Sequence, residues 1–199
     1  MATPVRETNS RHNKDVESNI QATKYSIREL VQRVFWAIGL WIFRWTPRPC
    51  FGMRRGLLRL FGARVGKRVR TYASTHIYFP WNLQVGDYSS FGEDVLIYNL
   101  GLVTIGDRVT ISQRAHVCAG THDYREPSMP LLKLPIRIEN DVWICADAFV
   151  GPGVVICNGA IAGARAVVVK DIGPSEIVAG NPARFIKMRD SFRSEEQSD

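Results

Sequence analysis

The stretch IENDVWICADAFVGPGVVICNGAIAGARAVV, residues 138–168, places an apolar residue at every sixth position. The same spacing extends back to Val65 and gives fifteen hexads. An α-helix repeats its apolar side every 3.6 residues and a half-buried strand every 2, so neither explains a period of six. The repeated position holds Val65, Thr71, Ile77, Val85, Phe91, Ile97, Ile105, Ile111, Val117, Ile138, Ile144, Val150, Ile156, Ala162 and Val168.

The hexads group in threes, into units that start at residues 65, 85, 105, 138 and 156. This pattern predicts a triangular coil in which each hexad forms one short strand and a corner, with the aliphatic side chain pointing into the prism. Smaller residues four positions later, such as Val69, Ala115 and Ala148, would complete the core. The predicted fold over residues 63–182 is an all-β solenoid of about five coils, which gives a column of roughly 24 Å.

One long interruption breaks the repeat. The first three units are separated by two-residue insertions, whereas the segment from Asp123 to Arg137 separates the third unit from the fourth. This segment begins directly after His122, which ends the third coil. We therefore predict an active-site loop at residues 123–137, with His122 at its mouth. An incidental surface histidine is the alternative interpretation.

The N-terminal part of the chain is basic. Residues 1–70 hold 15 Lys and Arg against 4 Asp and Glu, and residues 71–199 hold 11 against 15. Such asymmetry suggests an anionic partner, either phospholipid or nucleic acid. The basic residues alternate with bulky aliphatic ones and no recognition module is readable, so we expect no nucleic-acid partner.

Residues 26–62 are predicted to form a basic, Trp-rich amphipathic helical segment, which Ser26 and Glu29 would begin as a capping box. Its uninterrupted apolar part, residues 34–43, has half the length that a helical span of a bilayer needs. Tryptophans among arginines fit helices in the headgroup layer, so residues 26–61 could contact a membrane peripherally. Packing on the repeat body or on a neighbouring subunit explains the same pattern.

The sequence of the N-terminus and the spacing of the cysteines indicate in which cellular compartment the protein is expected. Residues 1–25 are predicted to be a mobile polar tail, without the apolar core of a signal peptide. The four cysteines show no CxxC spacing and are expected to be structural residues in a reducing compartment. We expect a cytoplasmic location, with the inner face of the cytoplasmic membrane as a peripheral site. Residues 183–199 are predicted to form a short C-terminal helix and a tail.

Three further segments carry a resemblance to a known family: GTHDY at 120–124, PIRIENDVWICADAFVGPGVVI at 135–156 and VVVKDIGPSEIVAGNPARFIK at 167–187. With the hexads, they make residues 65–190 resemble the hexapeptide-repeat acyltransferases, which fold as left-handed parallel β-helices. The chain looks most like the galactoside/maltose acetyltransferase branch, and within it the acetyltransferases assigned to colanic acid and other exopolysaccharide synthesis. The resemblance implies a homotrimer, with active sites between subunits, that moves an acetyl group from acetyl-CoA to a sugar hydroxyl without a metal.

A sugar hydroxyl is a poor nucleophile at neutral pH, and a side chain with a pKa near 7 can take its proton as it attacks. The resemblance assigns this general-base role to His122. Asp123 or a backbone carbonyl would orient the ring, although Asp in a loop is also a common turn former. Asn99 would hydrogen-bond the acceptor, or alternatively fill a tight corner. The acceptor-binding Asn of the galactoside branch aligns on Gly92 here, which leaves the acceptor open.

The resemblance also assigns the acetyl-CoA site. Its pantetheine arm would follow a groove lined by Trp143, Ala146 and Ala164, and its phosphates would meet Lys170, Arg184 and Lys187. A narrow slot between coils suits a thin chain, and cations suit phosphate groups.

Two other functions remain open from the sequence. One is a non-catalytic trimeric scaffold. The other is a zinc-dependent carbonic anhydrase of the γ type, which shares this fold and would use His76, His116 and His122. In the predicted prism, His116 and His122 lie on successive faces, and His76 lies two coils from His116, roughly 10 Å away. The three histidines therefore do not converge within one chain, and no metal site is predicted.

Overall fold

The body of the molecule is a triangular column of short parallel strands. The computed structural model describes Glu17 and residues 25–190. Every coil contributes one strand to each of three faces, and strands of successive coils pair in parallel. The predicted all-β solenoid is confirmed, and the column is a left-handed parallel β-helix.

The strands are short. The first face contains β1 (Arg64–Val65), β4 (Leu83–Val85), β7 (Val103–Ile105), β12 (Ile136–Ile138) and β15 (Val155–Ile156). The second face contains β2 (Arg70–Thr71), β5 (Ser90–Phe91), β8 (Thr110–Ile111), β13 (Trp143–Ile144), β16 (Ile161–Ala162), β18 (Glu176–Ala179) and β19 (Arg184–Met188). The third face contains β3 (His76–Ile77), β6 (Leu96–Tyr98), β9 (His116–Cys118), β14 (Phe149–Val150) and β17 (Val167–Val168). A separate antiparallel pair is formed by β10 (Gly120–His122) and β11 (Leu131–Lys133), and Pro80–Asn82 form a 3₁₀ turn.

The hexad positions form the core. On the first face, Val65 pairs with Val85, Val85 with Ile105, Ile105 with Ile138, and Ile138 with Ile156. All fifteen residues at the repeated position are buried. Burial of an aliphatic side chain contributes about 1.5–3 kcal/mol, so the stacked hexads supply the main stabilisation of the column.

Two corners of the prism place non-glycine residues in the left-handed region. Arg108 and Arg114 have φ of 55° and 57°, and Asp141 and Asp147 in the next coil have 60° and 59°. Arg108 donates two hydrogen bonds to Asp141, and Arg114 donates two to Asp147. These bidentate pairs join equivalent corners of successive coils.

Two helices close the N-terminal end of the column. They are α1 (Ile27–Trp45) and α2 (Phe51–Leu60), and the predicted capping box of Ser26 and Glu29 begins α1. The first coil has no preceding coil to pair with, so some of its carbonyls lack a strand partner. Side chains of the helices donate to four of them: Arg59 to Val65, Arg55 to Val69, Arg54 to Thr71 and Trp36 to Ile77.

Arg54 is the central residue of this end cap. Its side chain is fully buried, and its guanidinium donates to the carbonyls of Thr71, Thr46, Pro47 and Arg48 at 2.7, 3.1, 2.9 and 2.6 Å. Burial lowers the pKa of Arg54 from its ordinary value. One charged side chain therefore ties the first three residues of the turn between the helices to the first coil.

The C-terminal end differs from the sequence prediction. The predicted C-terminal helix is wrong: residues 184–188 form β19, which pairs antiparallel with β18. The physical reason is the free outer edge of β18, the last strand of the second face in the column, which gains hydrogen bonds from β19. Ile172 bridges to Ile156, so a sixth coil begins after the five complete ones.

Some predictions concern residues that the structure does not describe. The mobile tail predicted for residues 1–25 lies outside the described residues except for Glu17 and Tyr25, and so does the tail at residues 191–199. Neither α1 nor α2 is long and apolar enough to cross a bilayer, within the part of the chain that the structure describes.

Candidate active site

The long interruption of the repeat forms a β-hairpin that leaves the column between the third and first faces. Its arms are β10 and β11, in which Gly120 pairs with Lys133 and His122 with Leu131. Residues 123–130 form the turn. His122 therefore stands at the end of a hydrogen-bonded strand, and its side chain is exposed.

A backbone carbonyl orients the His122 ring. Nδ1 of His122 lies 2.6 Å from the carbonyl oxygen of Met129, across the hairpin turn. A carbonyl oxygen can only accept, so Nδ1 must carry the proton in this contact. The neutral ring then has its lone pair on Nε2, which is the arrangement that a general base needs.

Asp123 has a different role from the one considered in the sequence. Its Oδ1 accepts a hydrogen bond from the backbone N–H of Arg125 at 3.0 Å, and its own N–H donates to the carbonyl of Pro130. Asp123 therefore forms the turn, as its alternative interpretation predicted. The ring-orienting group is the Met129 carbonyl, which sequence reasoning could not identify because it depends on how the turn closes.

The position of Asn99 does not support contact with an acceptor. Its side chain is fully buried, its Oδ1 accepts from the Phe79 N–H at 3.0 Å, and its Nδ2 donates to the Phe79 carbonyl at 2.6 Å. Both ends of the amide are thus occupied by one backbone residue of the preceding coil. The assignment of Asn99 to the acceptor is corrected to a structural clamp between two coils.

The structure leaves no room for a side chain at Gly92, where the resemblance would align an acceptor-binding Asn. A Cβ at this position would lie 2.7 Å from the backbone nitrogen of Gln113. Such a contact is too short for a side chain without a backbone shift. Gly92 therefore offers no side chain to a ligand.

The start of α1 contacts the hairpin of β10 and β11, a contact that sequence reasoning missed. Nζ of Lys133 on β11 lies 3.6 Å from Oε1 of Glu29 and 4.9 Å from the centre of the Tyr25 ring. Arg33 lies over the same ring at 4.4 Å. The N-terminal helix and the strand that pairs with β10 are thus joined by one cluster of charged and aromatic side chains.

The residues assigned to the pantetheine groove lie along one side of the column. Trp143 is 45% exposed on the second face, and its Nε1 donates to Oγ of Ser112 at 2.9 Å. Ala146 and Ala164 occupy equivalent corners of successive coils between the second and third faces, and the Arg165 N–H donates to the Ala146 carbonyl. Trp143 lines a cavity of about 480 Å³ with Arg108, Asp141 and Arg189, and neither alanine is among the residues that line it.

Two of the three residues assigned to the phosphates share a cavity. Lys170 and Arg184 line a space of about 420 Å³ at the C-terminal end of the column, together with Asp171 and Glu176. Lys187 is not among its lining residues, and its Nζ lies 3.5 Å from Oδ2 of Asp190. The geometry therefore groups Lys170 with Arg184 but leaves Lys187 apart.

A single chain does not bring His122 close to Ala146 and Ala164, which are assigned to the pantetheine groove. His122 leaves the edge between the third and first faces, whereas Ala146 and Ala164 lie on the edge between the second and third. The whole third face separates them. A site that contains both requires a second copy of the chain.

The other two described histidines are part of the third face. The register places His76 opposite Leu96, and Leu96 opposite His116, so the two are two coils apart as predicted. Arg44 donates to Nδ1 of His76 at 2.8 Å, and burial lowers the pKa of both His76 and His116. Among the described residues, no three His, Cys, Asp or Glu side chains group as metal ligands.

Comparison with known proteins identifies the family. The chain is 41% identical over 157 residues to the Escherichia coli K12 protein "Putative colanic acid biosynthesis acetyltransferase WcaF", with 79% of this chain and 86% of that one covered. A maltose O-acetyltransferase from Clostridium difficile 630 matches with a TM-score of 0.76 and 25% identity, over 83% of this chain and 90% of that one.

A hexapeptide-repeat-containing acetyltransferase from Vibrio cholerae, solved in complex with acetyl-CoA, shares the fold with a TM-score of 0.77. Its identity is 23%, over 90% of this chain and 99% of that one. No model of a protein family matches the chain. The extended similarity to the Escherichia coli protein shows that this chain belongs to the hexapeptide-repeat acetyltransferases, which are coenzyme-A-dependent acyltransferases.

Proposed function

We propose that the protein is an O-acetyltransferase that moves the acetyl group of acetyl-CoA to a hydroxyl group of a saccharide. The acceptor classes are precursors of an exopolysaccharide, lipid-linked glycans and nucleotide sugars. The relatives named above include acetyltransferases of colanic acid biosynthesis and of maltose. The observation that carries the proposal is the bond between His122 Nδ1 and the Met129 carbonyl, since it leaves Nε2 as a proton acceptor.

The proposed reaction is a direct attack. Nε2 of His122 takes the proton of the saccharide hydroxyl while its oxygen attacks the thioester carbonyl. The C–S bond of the tetrahedral intermediate then breaks, and the imidazolium returns the proton to the leaving thiolate. The products are the acetylated saccharide and free coenzyme A. The carbonyl of Met129 stabilises the imidazolium, because it keeps the Nδ1 proton hydrogen-bonded throughout.

The site for acetyl-CoA is proposed on the same basis. The pantetheine arm follows Trp143, Ala146 and Ala164, and the phosphates lie near Lys170 and Arg184, with Lys187 as an outer cation. The Vibrio cholerae relative in complex with acetyl-CoA supports this cosubstrate. No step of the proposed reaction uses a metal.

The proposed assembly is a homotrimer with an active site at each subunit interface. The separation of His122 from Ala146 and Ala164 by the third face supports it, because only a neighbouring copy can bring the groove to the base. The proposed location is the cytoplasm, with peripheral contact to the inner face of the membrane through residues 26–61.

Steady-state kinetics of His122→Ala test the proposal. Loss of the base is expected to lower kcat by about two orders of magnitude or more, with the fold and the oligomeric state unchanged. Asp123→Ala is the matched comparison at the adjacent position. Its kcat is expected to fall by less than about tenfold, because its carboxylate holds the turn and not the ring. Near wild-type turnover in His122→Ala would contradict the assignment.

The non-catalytic scaffold makes the opposite prediction for ligand binding. Calorimetric titration of the purified protein with coenzyme A is expected to show saturable binding if it is an acetyltransferase. Absence of binding, together with an intact trimer, would favour the scaffold.

A further inference from the structure

Helix α1 has two apolar sides, and the part of the chain that the structure describes covers only one of them. Trp36, Gly39 and Phe43 are buried against the column and α2. The opposite side exposes nine large apolar side chains: Ile27, Leu30, Val31, Val34, Phe35, Ile38, Trp41, Ile42 and Trp45. We call these nine residues the outer face of α1. A helix that is apolar all round needs a second partner.

The outer face points away from the column. The inner side of α1 donates to a first-coil carbonyl through Trp36, and α2 donates to three more through Arg54, Arg55 and Arg59. The middle of α1 and the whole of α2 thus lie at the N-terminal end of the column, while the start of α1 reaches β11 through Glu29 and Lys133. The side of α1 opposite Trp36 faces away from the column. In the proposed trimer with parallel columns, three outer faces would lie at the same end.

The charges around this surface favour an anionic partner. Residues 26–61 contain seven arginines and one acidic residue, Glu29. Arg54 is buried and Arg55 is half-buried, so five arginines are exposed: Arg28, Arg33, Arg44, Arg48 and Arg59. At 100° per residue, Arg28 projects from one flank of the outer face and Arg33 and Arg44 from the other. Arg28 can reach the headgroup layer while the aliphatic side chains enter the acyl region. Arg33 and Arg44 add positive charge beside the outer face, although Arg33 lies over the Tyr25 ring and Arg44 donates to His76.

The aromatic residues fit the same surroundings. Trp41 and Trp45 lie at the C-terminal end of the outer face, with ring centroids 5.6 Å apart, and both are exposed. Indole rings are enriched where apolar chains meet headgroups. Exposed Met53 and Leu60 extend the apolar surface onto α2.

Two other occupants are less suitable. Residues 1–24 contain four large aliphatic or Met side chains, Met1, Val5, Val16 and Ile20, too few to cover the nine of the outer face. Contact between the outer faces of two copies is the other alternative, and sedimentation velocity tests it below. A second trimer could stack on this end only by bringing two arginine-rich surfaces together, which is electrostatically unfavourable.

We propose that the outer face of α1, with Met53 and Leu60, docks on an anionic phospholipid bilayer and lies in its headgroup layer. This inference rests on the proposed function for the trimer, which places three copies of α1 at one end, and for the peripheral contact that it specifies. The inference specifies which residues make the peripheral contact, that they face the bilayer, and that the lipids are anionic phospholipids.

Vesicle co-sedimentation of the full chain tests the inference. The probes are vesicles of phosphatidylcholine alone and of phosphatidylcholine with phosphatidylglycerol. The protein is expected to bind the anionic vesicles more tightly, and the bound fraction is expected to fall when salt is raised. Ile38→Glu is expected to weaken binding to anionic vesicles by about tenfold or more, because it places a charge in the middle of the outer face.

The chain offers a matched control. Ile186 on β19 is 58% exposed and Ile38 is 59% exposed, but Ile186 lies in the hairpin at the C-terminal end of the column. Ile186→Glu is expected to bind vesicles as the wild type does. Equal weakening by both variants would overturn the inference, since it would show a non-specific effect of charge.

Two further readouts separate this inference from the proposed function. Sedimentation velocity without lipid is expected to give the same oligomeric state for the wild type and Ile38→Glu. A smaller assembly in Ile38→Glu, with unchanged vesicle binding, would overturn the inference and assign the outer face to contacts between copies. Acetyl transfer to a water-soluble saccharide is expected to be equal in both, so loss of vesicle binding leaves the catalytic proposal intact.

Discussion

Replacement of Arg54 by Met tests the end cap of the column. The Met side chain keeps much of the aliphatic packing of Arg54 but removes all four hydrogen bonds of the guanidinium. Two of the accepting carbonyls belong to the buried residues Thr46 and Thr71, and the other two belong to Pro47 and Arg48, which are exposed and can turn to water. An unsatisfied buried carbonyl costs about 1–3 kcal/mol, so the two together give about 2–6 kcal/mol.

The variant also no longer buries a charge, which offsets part of this loss. We therefore expect the free energy of unfolding of Arg54→Met to fall by about 2–4 kcal/mol. Urea denaturation, followed by tryptophan fluorescence at one fixed protein concentration, measures it.

Arg55→Met is the matched control, because Arg55 is adjacent on α2, is half-buried and makes one such bond, to Val69. It is expected to lose about 1 kcal/mol. If Arg54→Met lost no more stability than Arg55→Met, the reasoning about the buried guanidinium would be refuted.

Three other predictions follow from the site and the core. Asn99→Ala is expected to lower the free energy of unfolding by about 2–4 kcal/mol, since two buried hydrogen bonds are lost. The KM for the acceptor is expected to stay unchanged. A raised KM would indicate that Asn99 does bind the acceptor. Burial lowers the pKa of native His116 below the ordinary 6.5, so the unfolded state binds more protons and stability falls as the pH drops through about 6.5. Denaturation curves of His116→Phe at several pH values are expected to show a shallower fall, and an unchanged slope would contradict this. Lys170→Ala and Arg184→Ala are each expected to raise the KM for acetyl-CoA by about tenfold, and Lys187→Ala is expected to raise it less. Initial rates at varied acetyl-CoA concentration measure the KM. Equal effects of all three substitutions would argue against a phosphate site in the cavity that Lys170 and Arg184 share.

The sequence predicted the column well because its period has one physical cause. A side chain at every sixth residue can point inward only in a triangular coil, and Val65, Val85 and Ile105 do stack in register. The position of His122 followed from the single break in that period. The start and capping of α1 followed from local signals at Ser26 and Glu29.

The remaining features depend on contacts between distant segments. The Met129 carbonyl meets the His122 ring only after the hairpin closes, and Asn99 spans 20 residues to reach Phe79. The strand at residues 184–188 forms because the edge of β18 is free, which local sequence does not reveal. Nothing in the local sequence distinguishes Arg54 from the neighbouring basic residues, although its side chain is fully buried in the fold.

Mass spectrometry of the reaction products tests the central claim most directly. Purified wild-type protein and His122→Ala are incubated side by side with acetyl-CoA and a panel of soluble, nucleotide-linked and lipid-linked saccharides. The account predicts that the wild type adds one acetyl group to a hydroxyl of at least one saccharide and releases one equivalent of coenzyme A, while His122→Ala forms about a hundredth of that product or less in the same time. Equal product from the two proteins would contradict the role of His122, and coenzyme A release without an acetylated saccharide would contradict the proposed transfer.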